Sequence, residues 1–134
     1  MRIFFILLVL LLTACQSHKF NYFYLMTHPK TLKQQVVYCR DPHETPAKQA
    51  YCETVMYAAA NFMSLTDEAD AHPQQFGERI LKAQEKMVQM ASILNEVQQQ
   101  GIKEKIATAE KAYQEQQEEV ATLLAVVGME EIER

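Results

Sequence analysis

The feature that most constrains the fold of this chain is a regular spacing of apolar residues along its second half. From Phe76 onward these residues recur at alternating intervals of four and three positions, and after Gly101 the same spacing resumes in a shifted frame. Such spacing places the side chains on one stripe of an α-helix, as in coiled coils. We therefore predict an all-α fold whose second half consists of two long helices. The two series are Phe76, Ile80, Ala83, Met87, Met90, Leu94 and Val97, then Ile102, Ile106, Ala109, Tyr113, Gln116, Val120, Leu123 and Val127.

The connection between these two helices is predicted from Gly101. Glycine readily adopts the left-handed backbone conformation in which many helices end. We therefore predict helices at 73–100 and 102–127 that fold back as a long antiparallel, coiled-coil-like hairpin over 73–128. A single helix kinked at Gly101 is the alternative, because glycine inside a helix costs only about 1 kcal/mol relative to alanine. The heptad spacing also leaves homo-oligomerisation open.

The chain begins with a segment that is typical of bacterial export signals. An unbroken apolar run of 10 residues extends from Ile3 to Leu12, half the ~20 residues that a helix needs to span a bilayer. The residues Leu12-Thr13-Ala14-Cys15 resemble the lipobox of bacterial lipoproteins, in which the cysteine is lipidated and becomes the new amino terminus. We therefore predict a lipoprotein signal peptide at 1–14 and a lipidated tether with an aromatic segment at 15–28. An ordinary export signal with a chance cysteine is the alternative.

The same residues predict a location in the cell envelope. Acyl chains such as palmitate on Cys15 would anchor the protein to a membrane, facing the periplasm, and several chains hold a protein there far better than one. Cys15 is followed by Gln16 and not by aspartate. By resemblance to lipoprotein sorting in enteric bacteria, this favours the outer membrane over the inner membrane.

Two prolines mark the starts of a shorter pair of helices. Pro29 and Pro46 each follow a polar residue, and proline is favoured at the first helical position because its missing N–H is not needed there. Thr45 is a good capping residue for the second helix. These signals predict a helical hairpin over 29–65, with a polar loop from Thr66 to His72 after it. The predicted buried face of the second helix is Tyr51, Cys52, Val55, Met56, Ala59 and either Phe62 or Met63.

Cys39 and Cys52 are predicted to form a disulfide that staples this hairpin. Export places them in an oxidising compartment, where cysteines usually pair. Cys39 ends one predicted helix and Cys52 lies in the second turn of the next, with only the loop Arg40–Thr45 between the helices. Cys15 is taken up by lipid, so no thiol remains unpaired.

Composition and motifs argue against several other functions. The formal net charge of −4 disfavours a nucleic-acid-binding protein, which needs a basic face. The sequence contains neither G-x-S-x-G nor H-E-x-x-H, and its cysteines and histidines lack a recognised metal-ligand spacing. We therefore predict no enzymatic activity, no catalytic residues, no metal site and no cofactor.

The first half of the chain resembles the EexN family of bacterial lipoproteins, the entry exclusion proteins of conjugative plasmids and type IV secretion loci. The resemblance covers about residues 1–62 and combines the lipobox with a tyrosine-rich start, a histidine-proline pair, a cysteine-arginine pair, a second cysteine and an alanine-containing helix. The residues that carry it are Tyr22 or Tyr24, His28, Pro29, Cys39, Arg40, Cys52 and Ala58–Ala60.

The resemblance implies a non-enzymatic function in a recipient cell. A membrane-anchored protein of this kind would block redundant conjugative DNA transfer by contacting a protein component of the mating channel, without touching DNA. The alternative is a structural lipoprotein of a type IV secretion or envelope complex that uses the heptad half as its protein-binding arm. In either case we expect partner contact at the aromatic segment and the loop, through Tyr22, Tyr24, Arg40 and His43.

Overall fold

The computed structural model describes residues 19–41 and 45–128, which form five α-helices and no strand. The prediction of an all-α protein is therefore confirmed for these residues. The predicted signal peptide, the lipidation site Cys15 and His43 lie outside the described residues. The helices are α1 (Tyr22–Thr27), α2 (Pro29–Tyr38), α3 (Pro46–Ala71), α4 (Pro73–Gln100) and α5 (Lys103–Val126).

The helix starts follow the local signals in the sequence. The side chain of Thr45 accepts a hydrogen bond of 3.2 Å from the backbone N–H of Lys48, which satisfies one of the free amides at the start of α3. Asn21 caps α1 in the same way, accepting from the Tyr24 N–H at 2.8 Å. Pro29 occupies the first position of α2, as predicted.

The predicted loop from Thr66 to His72 is wrong, because α3 continues through this segment to Ala71. The hydroxyl of Thr66 donates to the Phe62 carbonyl inside the helix, at 2.9 Å. Leu65 and Ala69 pack against apolar residues of the later helices, and this packing stabilises the additional turns of α3. Only His72 separates α3 from α4, with φ −137° and ψ 60°, because a residue before proline is displaced from the helical region.

Two apolar clusters form the interior, and α3 belongs to both. The first core brings α1, α2 and the first half of α3 together, and the second core lies between α4, α5 and the end of α3. Leu65 packs against both clusters, so the stapled hairpin and the long hairpin share one interior. The buried members are Leu25, Met26, Leu32, Cys39, Cys52, Val55 and Ala58 in the first core, and Phe76, Ala83, Val120 and Leu123 in the second core.

The long antiparallel hairpin is confirmed, and the single kinked helix is excluded. Gly101 has φ 71° and ψ 14°, and its N–H donates to the carbonyls of Val97 and Gln98 at 3.2 and 3.1 Å. The chain reverses there, so that Gln116 of α5 lies against Ala83 of α4, with its Nε2 donating to the Ala83 carbonyl at 3.3 Å. Gln116, the polar residue in the second heptad series, is thus buried and hydrogen-bonded.

Replacing Gly101 by alanine is expected to lower the free energy of unfolding by about 1 kcal/mol, because a Cβ disfavours the left-handed conformation. Gly77 provides the matched control. It lies inside α4, and a Cβ built there meets nothing within 4 Å. Gly77→Ala should therefore raise the free energy of unfolding by about 0.5–1 kcal/mol. Urea unfolding followed by circular dichroism measures both variants, and a stabilising effect of Gly101→Ala would contradict the assigned turn.

Candidate partner-binding site

The disulfide between Cys39 and Cys52 positions the first half of the chain. Its two Cα atoms are 5.4 Å apart, and both cysteines are buried in the first core, as predicted from the sequence. The bond joins the end of α2 to the second turn of α3. It holds a helix of 10 residues that would be marginal alone.

Polar contacts reinforce the packing of α2 on α3. The hydroxyl of Tyr51 donates to Oε1 of Gln35 at 2.9 Å, and Nζ of Lys48 lies 4.7 Å from the centre of the Tyr38 ring. Burial raises the pKa of the Tyr51 hydroxyl, against the opposing effect of a hydrogen bond with the Phe20 backbone. Tyr51 therefore remains protonated at neutral pH and keeps its donor role.

The aromatic segment is partly core and partly surface. It forms α1, whose Leu25 and Met26 are buried in the first core. The ring of Tyr24 stacks between Phe20 at 4.8 Å and His28 at 3.8 Å, measured between ring centroids. Nδ1 of His28 donates to the Tyr24 carbonyl at 2.9 Å, which fixes the orientation of the imidazole. Tyr24 is therefore half-buried in a rigid stack.

Tyr22, in contrast, is exposed and contacts exposed residues of α3. Its ring centroid is 5.6 Å from that of Tyr57, and its hydroxyl accepts from Nδ2 of Asn61 at 2.8 Å. Tyr57 is 64% exposed and Met63 is 65% exposed. We call the exposed residues Met56, Tyr57 and Met63 of α3, together with Tyr22 of α1, the outer face of α3.

The predicted burial of Met56 is wrong, since half of its surface is exposed. Val55 occupies the core position, and the next residue lies about 100° further around the helix. Of the two alternatives Phe62 and Met63, it is Phe62 that packs against the first core. Sequence reasoning therefore missed Tyr57 and Met63 as surface residues. Their exposure follows once Cys52, Val55 and Ala58 define the buried stripe.

The structure does not bring all the predicted contact residues together. Tyr22 lies beside Tyr57 and Asn61 of α3. Arg40, in contrast, follows Cys39, and the disulfide holds Cys39 beside Cys52, which lies one to two helical turns before Tyr57 in α3. Arg40 is exposed, and its backbone N–H donates to the Val37 carbonyl at 3.1 Å. His43 of the same predicted loop lies outside the described residues.

A groove of 570 Å³ lies at the base of the long hairpin, on the side of α4 that faces α5. Arg79, Lys82 and Lys86 line it together with carboxylates, among them Glu119, so charges of both signs meet there. Arg79 is already paired with Glu68 of α3 at 2.9 Å. The groove therefore lacks the single-sign field that would attract a charged ligand.

Two further observations concern residues 19–41 and 45–128. No cluster of three or more histidine, cysteine, aspartate or glutamate side chains with the arrangement of a metal site occurs there. None of the helices in this part of the chain is long and apolar enough to cross a membrane.

Comparison with protein-family models, with curated proteins and with solved structures finds no match for this chain.

Proposed function

We propose that this protein is a membrane-anchored periplasmic lipoprotein that blocks redundant conjugative DNA transfer by contacting a component of the mating channel. The observation that supports the proposal is the grouping of the residues on which the resemblance to the entry exclusion family rests. Cys39, Cys52 and Ala58 are buried together in the first core, and Tyr22 contacts α3 at Tyr57. These residues are spread over more than thirty positions of the sequence, yet they form one folded unit that is held together by the first core and the disulfide.

The anchor would keep this unit close to the membrane. Only residues 16–18 separate Cys15 from Lys19, where the described structure begins. Each residue of an extended chain spans at most ~3.6 Å. A lipid on Cys15 would therefore hold the start of the unit within ~15 Å of the bilayer surface. In this proposal, the outer face of α3 would meet channel components close to the membrane.

The chemistry of the outer face suits protein contact. Tyrosine combines a large apolar ring with a polar tip, and methionine adapts its shape to a partner surface. The α3 backbone beneath these side chains is held by the disulfide and by the first core. A rigid scaffold lowers the entropy that binding must overcome.

A second candidate is a structural lipoprotein of a type IV secretion or envelope complex. It is favoured by the long hairpin, in which none of residues 84–115 is buried. We call residues 84–115 the distal arm. The two helices, of 28 and 24 residues, continue past the last buried residues Ala83 and Gln116, and this exposed length would offer a separate protein-binding surface.

Conjugation into recipient cells tests the proposal. Recipients that express the protein should yield fewer transconjugants than empty recipients when the donor carries the cognate transfer system. The double variant Tyr57→Ser/Met63→Ser should restore the frequency because it removes apolar contacts from the outer face while leaving the cores intact. Leu81→Ser, at an equally exposed position of α4, is the matched control and should still exclude.

The outcomes separate the two candidates. An unchanged transconjugant frequency with the unmodified protein, exported at a normal level, would rule out exclusion. Loss of secretion after deletion of the gene from its own cell would instead support the structural role. Cys15→Ser provides the anchor control and should abolish exclusion without changing the folded domain.

A further inference from the structure

We propose that α2 and the start of α3 rest on anionic phospholipid headgroups beside the lipid anchor. The observation behind this is an uneven distribution of charge along the chain. Residues 19–48 carry five basic and two acidic side chains, whereas residues 49–134 carry seven basic and fifteen acidic ones. The first acidic residue after Cys15 is Asp41. An acidic protein therefore concentrates its excess positive charge in the part of the chain that follows the anchor.

The outward side of α2 carries two of the five basic residues. Leu32 is buried in the first core, whereas Lys30, Lys33 and Val37 are exposed and lie within ~60° of one another around the helix. Val37 is 57% exposed. A lysine can extend its ammonium group toward a phosphate while its methylene stem covers apolar surface. An exposed valine beside two lysines therefore suits the boundary between headgroups and acyl chains.

The other three basic residues gather at the end of the stapled hairpin where α2 meets α3. Nζ of Lys19 donates to the Ala47 carbonyl in the first turn of α3, at 3.5 Å. Lys48 is the next residue of α3, and Arg40 follows the disulfide that joins the two helices. The start of the described chain thus lies at this end of the hairpin. We call Lys19, Lys30, Lys33, Arg40 and Lys48 the basic surface.

The charges of the basic surface are not neutralised within the described part of the chain. The ion pairs there join Arg79 to Glu68 and Lys111 to Glu115, and neither pair includes a residue of this surface. Asp41 is the one acidic side chain that the structure describes between residues 19 and 48. Four of the five basic side chains are exposed, and the fifth is half-buried. The positive charge is therefore available to an anionic partner.

The position of Lys19 selects a membrane as that partner. A lipid on Cys15 would hold Lys19 within ~15 Å of the bilayer surface. An anionic surface attracts basic residues at about this range, and a basic patch strengthens the membrane binding of a lipid-anchored protein. The inference rests on the anchor of the proposed function. Docking would fix the orientation of the stapled hairpin, and Arg40, which the structure separates from Tyr22, would contact lipid.

Fluorescence quenching in reconstituted vesicles tests this contact. The full, lipid-modified chain carries Gln34→Cys, an exposed position of α2, labelled with a thiol-reactive fluorophore, and the bonded Cys39 and Cys52 do not react. The vesicles contain a lipid with a nitroxide quencher on its headgroup, in phosphatidylcholine alone or with about 30% phosphatidylglycerol. We expect strong quenching only with phosphatidylglycerol, and its loss when NaCl is raised from about 0.05 to about 0.5 M. Equal quenching in both vesicles, or none in either, would overturn the proposal.

Two double variants of the labelled chain separate this surface from net charge. Lys30→Gln/Lys33→Gln should lower the ratio of docked to undocked chains by about 25-fold, since each lysine near an anionic surface strengthens binding by about fivefold. Lys103→Gln/Lys105→Gln is the matched control. It removes two exposed lysines from the distal arm and should leave the quenching unchanged. An equal loss from both double variants would contradict docking through the basic surface.

Flotation with phosphatidylcholine vesicles reports the anchor by itself. A chain that floats but stays unquenched with phosphatidylglycerol would disprove the docking and leave the proposed function intact. An unchanged transconjugant frequency, together with normal quenching, would disprove exclusion alone. A chain that does not float lacks the anchor, which would overturn both proposals.

Discussion

Replacing both Cys39 and Cys52 by serine is expected to lower the free energy of unfolding by about 3 kcal/mol. The bond closes a loop with a sequence separation of 13 residues, and in the chain-entropy model a loop of this size contributes about this much. Its loss leaves α2 held by Leu32 and Val36 in the first core, by the hydrogen bond from Tyr51 to Gln35 and by Lys48 over the Tyr38 ring. We therefore expect α2 to open before the long hairpin does.

Urea unfolding with and without reductant measures this effect. Reductant should destabilise the unmodified chain by about the same amount as the double substitution, and it should leave the double-serine variant unaffected. Amide hydrogen exchange should show the largest gain over α2 and the first half of α3. Equal stability of the oxidised chain and the double-serine variant would show that the disulfide does not hold the hairpin.

Phe76→Ala is expected to cost about 3–5 kcal/mol, the range for removing a buried aromatic side chain. Phe76 is 1% exposed and belongs to the second core. It starts the seam of α4 one turn after Pro73, where α3, α4 and α5 come together. The cavity therefore opens at the joint of the two hairpins, and the surrounding helices restrict how far it can collapse.

Leu81→Ala is the matched control for this substitution. It removes apolar atoms from the same helix, but Leu81 is 60% exposed, so the change should stay within about 0.5 kcal/mol. Thermal and urea unfolding of both variants give the comparison. If Phe76→Ala were as mild as Leu81→Ala, the second core would not be packed at this joint.

Several elements were predictable because their causes are local. The capping contact of Thr45, the prolines at the helix starts and the left-handed turn at Gly101 each depend on one residue and its immediate neighbours. The pairing of Cys39 with Cys52 followed from their short separation between two predicted helices. Local chemistry is available in a single sequence, so these inferences needed no tertiary information.

The end of α3 was not predictable in this way. The segment from Thr66 to Ala71 is polar and acidic, which is typical of a loop. Ala69 within this segment, and Leu65 just before it, pack against the second core. The helix continues because residues far away in the sequence cover one of its faces. The stabilisation from that packing cannot be inferred from the local sequence.

The same distinction between local causes and tertiary packing applies to the candidate site. By itself, the sequence determined an all-α chain with a stapled hairpin and a long heptad hairpin, because periodicity, caps and cysteine spacing act over short range. Only the tertiary structure decided that Tyr57 lies exposed beside Tyr22, that Met56 and Met63 face outward, and that none of residues 84–115 is buried. Exposure is set by which helices cover a surface, and that depends on contacts between residues far apart in the chain.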